Sequence, residues 1–168
     1  MSRPLRFLGK MNRTLARLCL FASACGLVLM TVVIGVQVFG RYVLNHSPSW
    51  SETFCLLLML YYIMFAAAAG VRDKFHIGLT LVFSKMPPSI QRGLTLFSFL
   101  VLALFGVGMV WFGSQMTATT WSHIIPTLEI PTGLSYLPFP IAGVLFVLFS
   151  VEHIMAVFAG EEVASSWS

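Results

Sequence analysis

Charge is what this sequence has least of. Of 168 residues, 10% are charged, against 58% hydrophobic and 14% aromatic, and the mean hydropathy is +0.88. A water-soluble domain carries about 25% charged residues, so ionised groups cannot cover a globular surface of this size. The G-x-x-x-x-G-K-[ST] phosphate loop is absent, which excludes ATP hydrolysis by that route. Cysteine is scarce too: Cys19, Cys25 and Cys55 form no C-x-x-C pair, so neither a disulfide framework nor a metal site is expected, and they read as small apolar core residues. The histidines are His46, His76, His123 and His153. None falls at the centre of an apolar run, where a haem ligand belongs. The net charge of +4 does not point to nucleic acid, because the basic residues border apolar runs. No catalytic residue and no cofactor is expected.

What the chain does have is four long runs almost free of charge. They cover about residues 18–40, 53–71, 93–113 and 134–159. Each is near or above the length that about 30 Å of hydrocarbon requires, so the fold expected is an all-α integral membrane protein with four transmembrane helices in a single domain. Four spans of about 20 residues consume about 80 residues, and the remainder is too short for a separate soluble catalytic domain. Ala22-Ser23-Ala24 before Cys25 has the small-x-small look of a signal-peptide cleavage site. The apolar run continues to Phe39, and a retained first span is the expectation.

Lys and Arg set an orientation. Arg3, Arg6, Lys10, Arg13 and Arg17 precede the first span, and Arg72, Lys74, Lys85 and Arg92 surround the second connection. Arg41 is the one basic residue of the first connection, and the third connection has none. The positive-inside rule therefore puts both termini and the second connection in the cytoplasm. The basic residues of segment 1–17 recur at steps of three and four, with Leu5, Leu8, Met11 and Leu15 between them. That pattern fits either an amphipathic helix lying on anionic headgroups or an unstructured positive flank. Residues 76–83 are too short to span and read as a second interfacial segment, stopped at Pro87-Pro88.

Ionisable groups within the membrane mark coupling-ion and proton sites. The first three spans offer none, and the fourth has only Glu152 and His153, two turns from its end. These two read either as a structural or interfacial pair or as a proton relay. The first connection is denser in signals. Ser49 and Glu52 have capping-box spacing, Trp50 suits the membrane interface, and Arg41 and Glu52 are placed to pair across the hairpin. Ala66-Ala67-Ala68-Ala69-Gly70, with Gly26, Gly35, Gly106 and Gly108, supply faces for close helix approach.

Three stretches taken in order resemble a known family. They are Arg41-Tyr42-x-x-Asn45-x-Ser47-x-x-Trp50-x-Glu52, then Arg72-x-x-x-His76-Ile77, then Pro131 through Tyr136 to Pro140-Ile141-x-Gly143. Together, over about residues 12–160, they resemble the small membrane subunit of tripartite ATP-independent periplasmic (TRAP) transporters, the DctQ-like family. Thr53 departs from the pattern, since the family often has a second acidic residue there. The resemblance implies a non-enzymatic scaffold in the bacterial inner membrane. It would bind a large many-spanning subunit, which carries the substrate and usually sodium sites, and cooperate with a soluble periplasmic protein that captures an organic acid such as a four-carbon dicarboxylate or a sialic acid. It further implies that Arg41, Tyr42, Asn45, Ser47, Trp50 and Glu52 shape a periplasmic hairpin and a docking surface, that Arg72 and His76 anchor the cytoplasmic turn, and that Pro131, Tyr136 and Pro140 form the entry to the fourth span. The competing reading is a self-sufficient four-span exporter working as a homodimer.

The orientation is directly testable. Alkaline phosphatase fused after Ser168 is expected to be inactive, and an active reporter would place the carboxyl terminus on the outer side.

Overall fold

A computed structural model describes residues 3–46, 48–73 and 87–159, with the side chains of 3–7, 88 and 89 left aside. Long apolar runs leave the backbone one way to satisfy its hydrogen bonds without water, and the chain takes it. Helix α1 runs Arg3–Tyr42, α2 Trp50–Arg72, and α3 Pro88–Thr120. A short antiparallel pair follows, β1 (Ile124–Ile125) with β2 (Ile130–Pro131), in the register Ile124 to Pro131 and Ile125 to Ile130. The single turn α4 (Gly133–Tyr136) then leads into α5 (Pro138–Ala159). Among the described residues, four helical stretches are long and apolar enough to cross a membrane: Leu8–Tyr42, Trp50–Arg72, Ile90–Thr120 and Gly133–Ala159.

The basic flank and the first span are one helix. Asn12, Ala16, Cys19 and Ser23 repeat at helical spacing and are buried, while Lys10 and Arg17 are exposed. The flank is thus amphipathic, but it continues the line of α1. The segment 76–83 lies outside the described residues.

The helices form an open row. α1 packs on α2, α2 on α5, and α5 on α3, and α1 also meets α5 directly near Asn12, whereas α1 and α3 make no comparable contact. α5 is the most buried of the four, and α1 and α3 are the edges, with large apolar side chains such as Phe21, Val28, Leu104 and Phe112 exposed along them. A surface of this kind requires lipid or another apolar helix against it. Two connections, 43–49 and 121–132, share one end of the row, called the hairpin end below. Residues 9, 72 and 152 share the other.

Small residues let the row close. Ala16, Ala68, Ala69 and Ala142 are fully buried in the core beside Phe146 and Phe149. At the α3–α5 crossing a Cβ on Gly106 would meet the Gly143 carbonyl at 2.8 Å, and one on Gly143 would meet the Gly106 carbonyl at 2.7 Å. The two backbones therefore touch, as small-residue crossings in membranes do. Between α1 and α2 the Ser23 hydroxyl lies 2.7 Å from the Cys19 carbonyl and 2.9 Å from the Tyr62 carbonyl.

The crossing can be tested by thermal unfolding in detergent. Gly143→Leu must separate two backbones and is expected to cost about 1–3 kcal/mol. Gly108→Leu, where nothing lies within 4 Å, is expected to stay within about 0.5 kcal/mol of the parent.

Candidate functional site

The end of the row opposite the hairpins holds a buried ionic node. α1 brings Asn12, α2 ends on Arg72, and α5 brings Glu152 and His153; all four are buried. Both carboxylate oxygens of Glu152 are engaged. Arg72 Nη2 donates to Oε1 at 3.2 Å, Arg72 Nε donates to Oε2 at 3.3 Å, and Asn12 Nδ2 donates to Oε2 at 2.8 Å. Arg72 Nη2 also reaches the Gly9 carbonyl at 3.4 Å, and Nη1 lies 3.8 Å from Asp73 Oδ1. His153 Nε2 sits 2.8 Å from the Arg72 carbonyl. A carbonyl only accepts, so Nε2 carries the proton in this contact. The imidazole stacks on Phe99 of α3, with centroids 4.2 Å apart and rings 6° from parallel.

This geometry bears on the structural reading of Glu152 and His153. Removing a lone carboxylate from water costs several kcal/mol, and that cost is offset when a cation and further N–H donors surround it. Glu152 has a cation and three N–H contacts, so its arrangement is that of an internal ion pair. The node joins three helices directly and the fourth through the Phe99 stack, which makes it a structural clasp.

At the hairpin end the side chains are open. Arg41, Tyr42, Asn45, Trp50 and Glu52 are exposed, Tyr42 at 78%. The backbone turns back on α1, with the Leu44 and His46 amides donating to the Gly40 carbonyl at 3.2 and 3.0 Å. Asn45 takes the left-handed conformation at φ 51, which Asn tolerates better than most residues. The capping box does not form. Ser49 has helical backbone angles and no capping hydrogen bond, and instead the buried Ser51 hydroxyl donates to the Pro48 carbonyl at 2.8 Å. Residue 49 is already turned into the helical region, whereas a capping side chain works from an extended one. Arg41 and Glu52 form no ion pair with each other among the described residues. Trp50 packs its edge on Phe54 at 6.0 Å.

The third connection closes over α2. Thr127 donates to Thr53 at 2.9 Å, and Tyr61 donates to the Leu134 carbonyl at 2.9 Å. Pro131 ends the short β pair, Tyr136 closes α4 with its ring 6.5 Å from Phe139, and Pro140 sits where a Cβ on Gly113 would approach it to 2.8 Å. Pro140 therefore packs against α3, while Tyr136, like the first-hairpin residues, is exposed. Ser47 and His76 lie outside the described residues. Sequence reasoning missed Asn12 and did not join Arg72 to Glu152. The available signal was the requirement that an acid within a span find a cation, which Arg72, at the end of a neighbouring span, supplies.

The family model for tripartite ATP-independent periplasmic transporters, DctQ component, matches residues 30–160. This chain belongs to the DctQ family. A Haemophilus influenzae protein provisionally named TRAP transporter small permease protein is 24% identical over 157 residues, covering 89% of this chain and 93% of its relative. The sialic acid TRAP transporter small permease protein SiaQ of Vibrio cholerae is 26% identical over 130 residues, 75% of each chain. The C4-dicarboxylate TRAP transporter small permease protein DctQ of Rhodobacter capsulatus is 28% identical over 98 residues, 57% of this chain and 43% of that one. The resemblance read from the ordered motifs is thereby established. The DctQ-family chain is a multi-pass membrane protein of the small permease type, with the ionic node at one end and the open hairpin at the other.

The clasp has a distinctive mutational signature. Arg72→Met leaves a buried carboxylate without its cation and is expected to cost about 3–5 kcal/mol in thermal unfolding of the purified protein. The double variant Arg72→Met with Glu152→Leu is expected to recover most of that loss. Equal losses in the single and double variants would contradict the assignment.

Proposed function

We propose that this chain is the small scaffold subunit of a TRAP transporter in the bacterial inner membrane. It holds a large ion-coupled transport subunit and helps receive a periplasmic binding protein loaded with an organic acid. The observation that carries this reading is the family match over residues 30–160. Physical support comes from the buried ionisable groups: Glu152 is paired with Arg72 inside the bundle, beside the Asp73 carboxylate. The row shape adds to it, because an open row exposes two broad apolar faces to a neighbour. The chain acts as a transporter component and not as an enzyme.

The relatives named for sialic acid and for C4-dicarboxylates both serve carboxylates, and a carboxylate is the substrate class proposed here. Coupling of uptake to sodium follows from the large subunit in this scheme. Both termini face the cytoplasm, from the distribution of Lys and Arg. That orientation turns Arg41, Tyr42, Asn45, Ser47, Trp50 and Glu52 toward the periplasm as a docking surface, with Arg72 and His76 on the cytoplasmic side.

The chain is expected to co-purify with the large membrane subunit when the two are co-expressed. Proteoliposomes are expected to accumulate the organic acid only when both membrane subunits, the binding protein and a sodium gradient are present. Accumulation by this chain alone would refute the scaffold role. Arg41→Glu with Trp50→Ala is expected to reduce uptake several-fold while leaving co-purification with the large subunit unchanged.

A further inference from the structure

The node holds one turn of α1 from the inside, and the outside of the same turn is basic. Asn12 Nδ2 donates to Glu152 Oε2 at 2.8 Å, and the Gly9 carbonyl accepts from Arg72 Nη2 at 3.4 Å, so residues 9–12 are fixed against α2 and α5. A helix turns about 100° per residue. Measured from the centre of the buried arc of Asn12, Ala16, Cys19 and Ser23, Lys10, Phe21 and Val28 are turned away by about 150–170°, and Arg13 by about 90°. Their exposure agrees, since Lys10, Phe21 and Val28 are exposed and Arg13 is half-buried. Leu18, also exposed, lies between the cations and Phe21.

This face carries cations without a countercharge of its own. α1 has no acidic residue from Arg3 to Tyr42, and among the described residues neither Lys10 nor Arg13 forms an ion pair. Glu152, the carboxylate that α1 does meet, is on its packed side and is held by Arg72 and Asn12. Arg17, one turn further on, is engaged within the protein, which leaves Lys10 and Arg13 as the cations presented outward.

We propose that the outer face of α1 around Lys10 and Arg13 binds an anionic phospholipid, its phosphodiester on the two cations and an acyl chain along Leu18, Phe21 and Val28. The depth fits. The apolar run begins at Leu18, and Arg13 and Lys10 precede it by about 7 and 12 Å, against a headgroup layer of about 5–8 Å on each side of the hydrocarbon. The long stem of Lys10 carries its ammonium back toward the phosphates. An acidic protein segment would satisfy the cations and leave the apolar side chains below them uncovered, whereas a phospholipid covers both. Phosphatidylethanolamine brings its own ammonium and gains less from this face than phosphatidylglycerol, whose phosphate is its one charge. Each surface cation is worth about a fivefold preference for anionic lipid. The inference needs only the membrane-spanning reading, and it stands apart from the scaffold role and from which terminus faces which side.

Native mass spectrometry of the full chain, titrated in detergent with phosphatidylglycerol or phosphatidylethanolamine of identical chains, tests it. The parent is expected to retain phosphatidylglycerol at least about fivefold more tightly, and no preference would overturn the proposal. Lys10→Gln with Arg13→Gln is expected to bring the two lipids within about twofold of each other, while Lys10→Arg with Arg13→Lys keeps the preference. Lys85→Gln with Arg92→Gln removes the same net charge elsewhere and is expected to leave the preference intact. An undiminished preference in the first pair, or an equal loss in the Lys85 and Arg92 pair, would reduce the effect to overall charge and overturn the site. Glycerol 3-phosphate, which has no chains for Phe21 and Val28, is expected not to displace the lipid; displacement would make this a site for soluble phosphate. Loss of co-purification with the large subunit in the Lys10 and Arg13 glutamine pair would assign the face to that subunit instead of to lipid.

Discussion

The ion pair between Glu152 and Arg72 is the constraint around which the molecule is organised. A carboxylate within an apolar bundle is tolerable only with its countercharge beside it, so the end of α2 must lie against α5. Asn12 extends that requirement to α1, and the His153 ring, held between the Arg72 carbonyl and the Phe99 ring, extends it to α3. Four helices that otherwise meet through interchangeable apolar surfaces are thereby set to one register at one end. Away from the node the row is held differently, by close backbone contact at Gly106 and Gly143 in mid-span and, toward the hairpin end, by single hydrogen bonds from Thr127 and Tyr61.

This division of forces suits a scaffold. Hydrophobic burial supplies little preference between helices in lipid, because a lipid tail is as apolar as a leucine. Specificity must come from small residues that let backbones touch and from polar groups that cannot remain unpaired. The chain places both kinds inside the row and leaves its edges to large apolar side chains, which either lipid or a partner helix can cover.

Much of the fold was legible because membrane burial writes itself into composition. Stretches without charge marked the four spans, and the ordered motifs around them pointed to the family. The structure lengthened three of the helices at their ends, most of all α1, which absorbs the basic flank. That flank was ambiguous because residues at steps of three and four suit a helix lying on headgroups as well as one continuing the span. Asn12 was the deciding residue, and its partner is distant in sequence. The capping box failed for a local reason, the helical angles of Ser49, which spacing does not report.

By itself the sequence determined that this chain lives in a membrane, how many times it can cross, and to which family it belongs, because hydropathy and ordered motifs are local properties of a linear string. Only the tertiary structure decided that Glu152 is a partner of Arg72 and Asn12 and that α1 and α3 stand at the edges. These are relations between residues up to 140 positions apart. They are set by which helix packs on which, and an apolar surface in lipid is too permissive for its pattern alone to specify its neighbour.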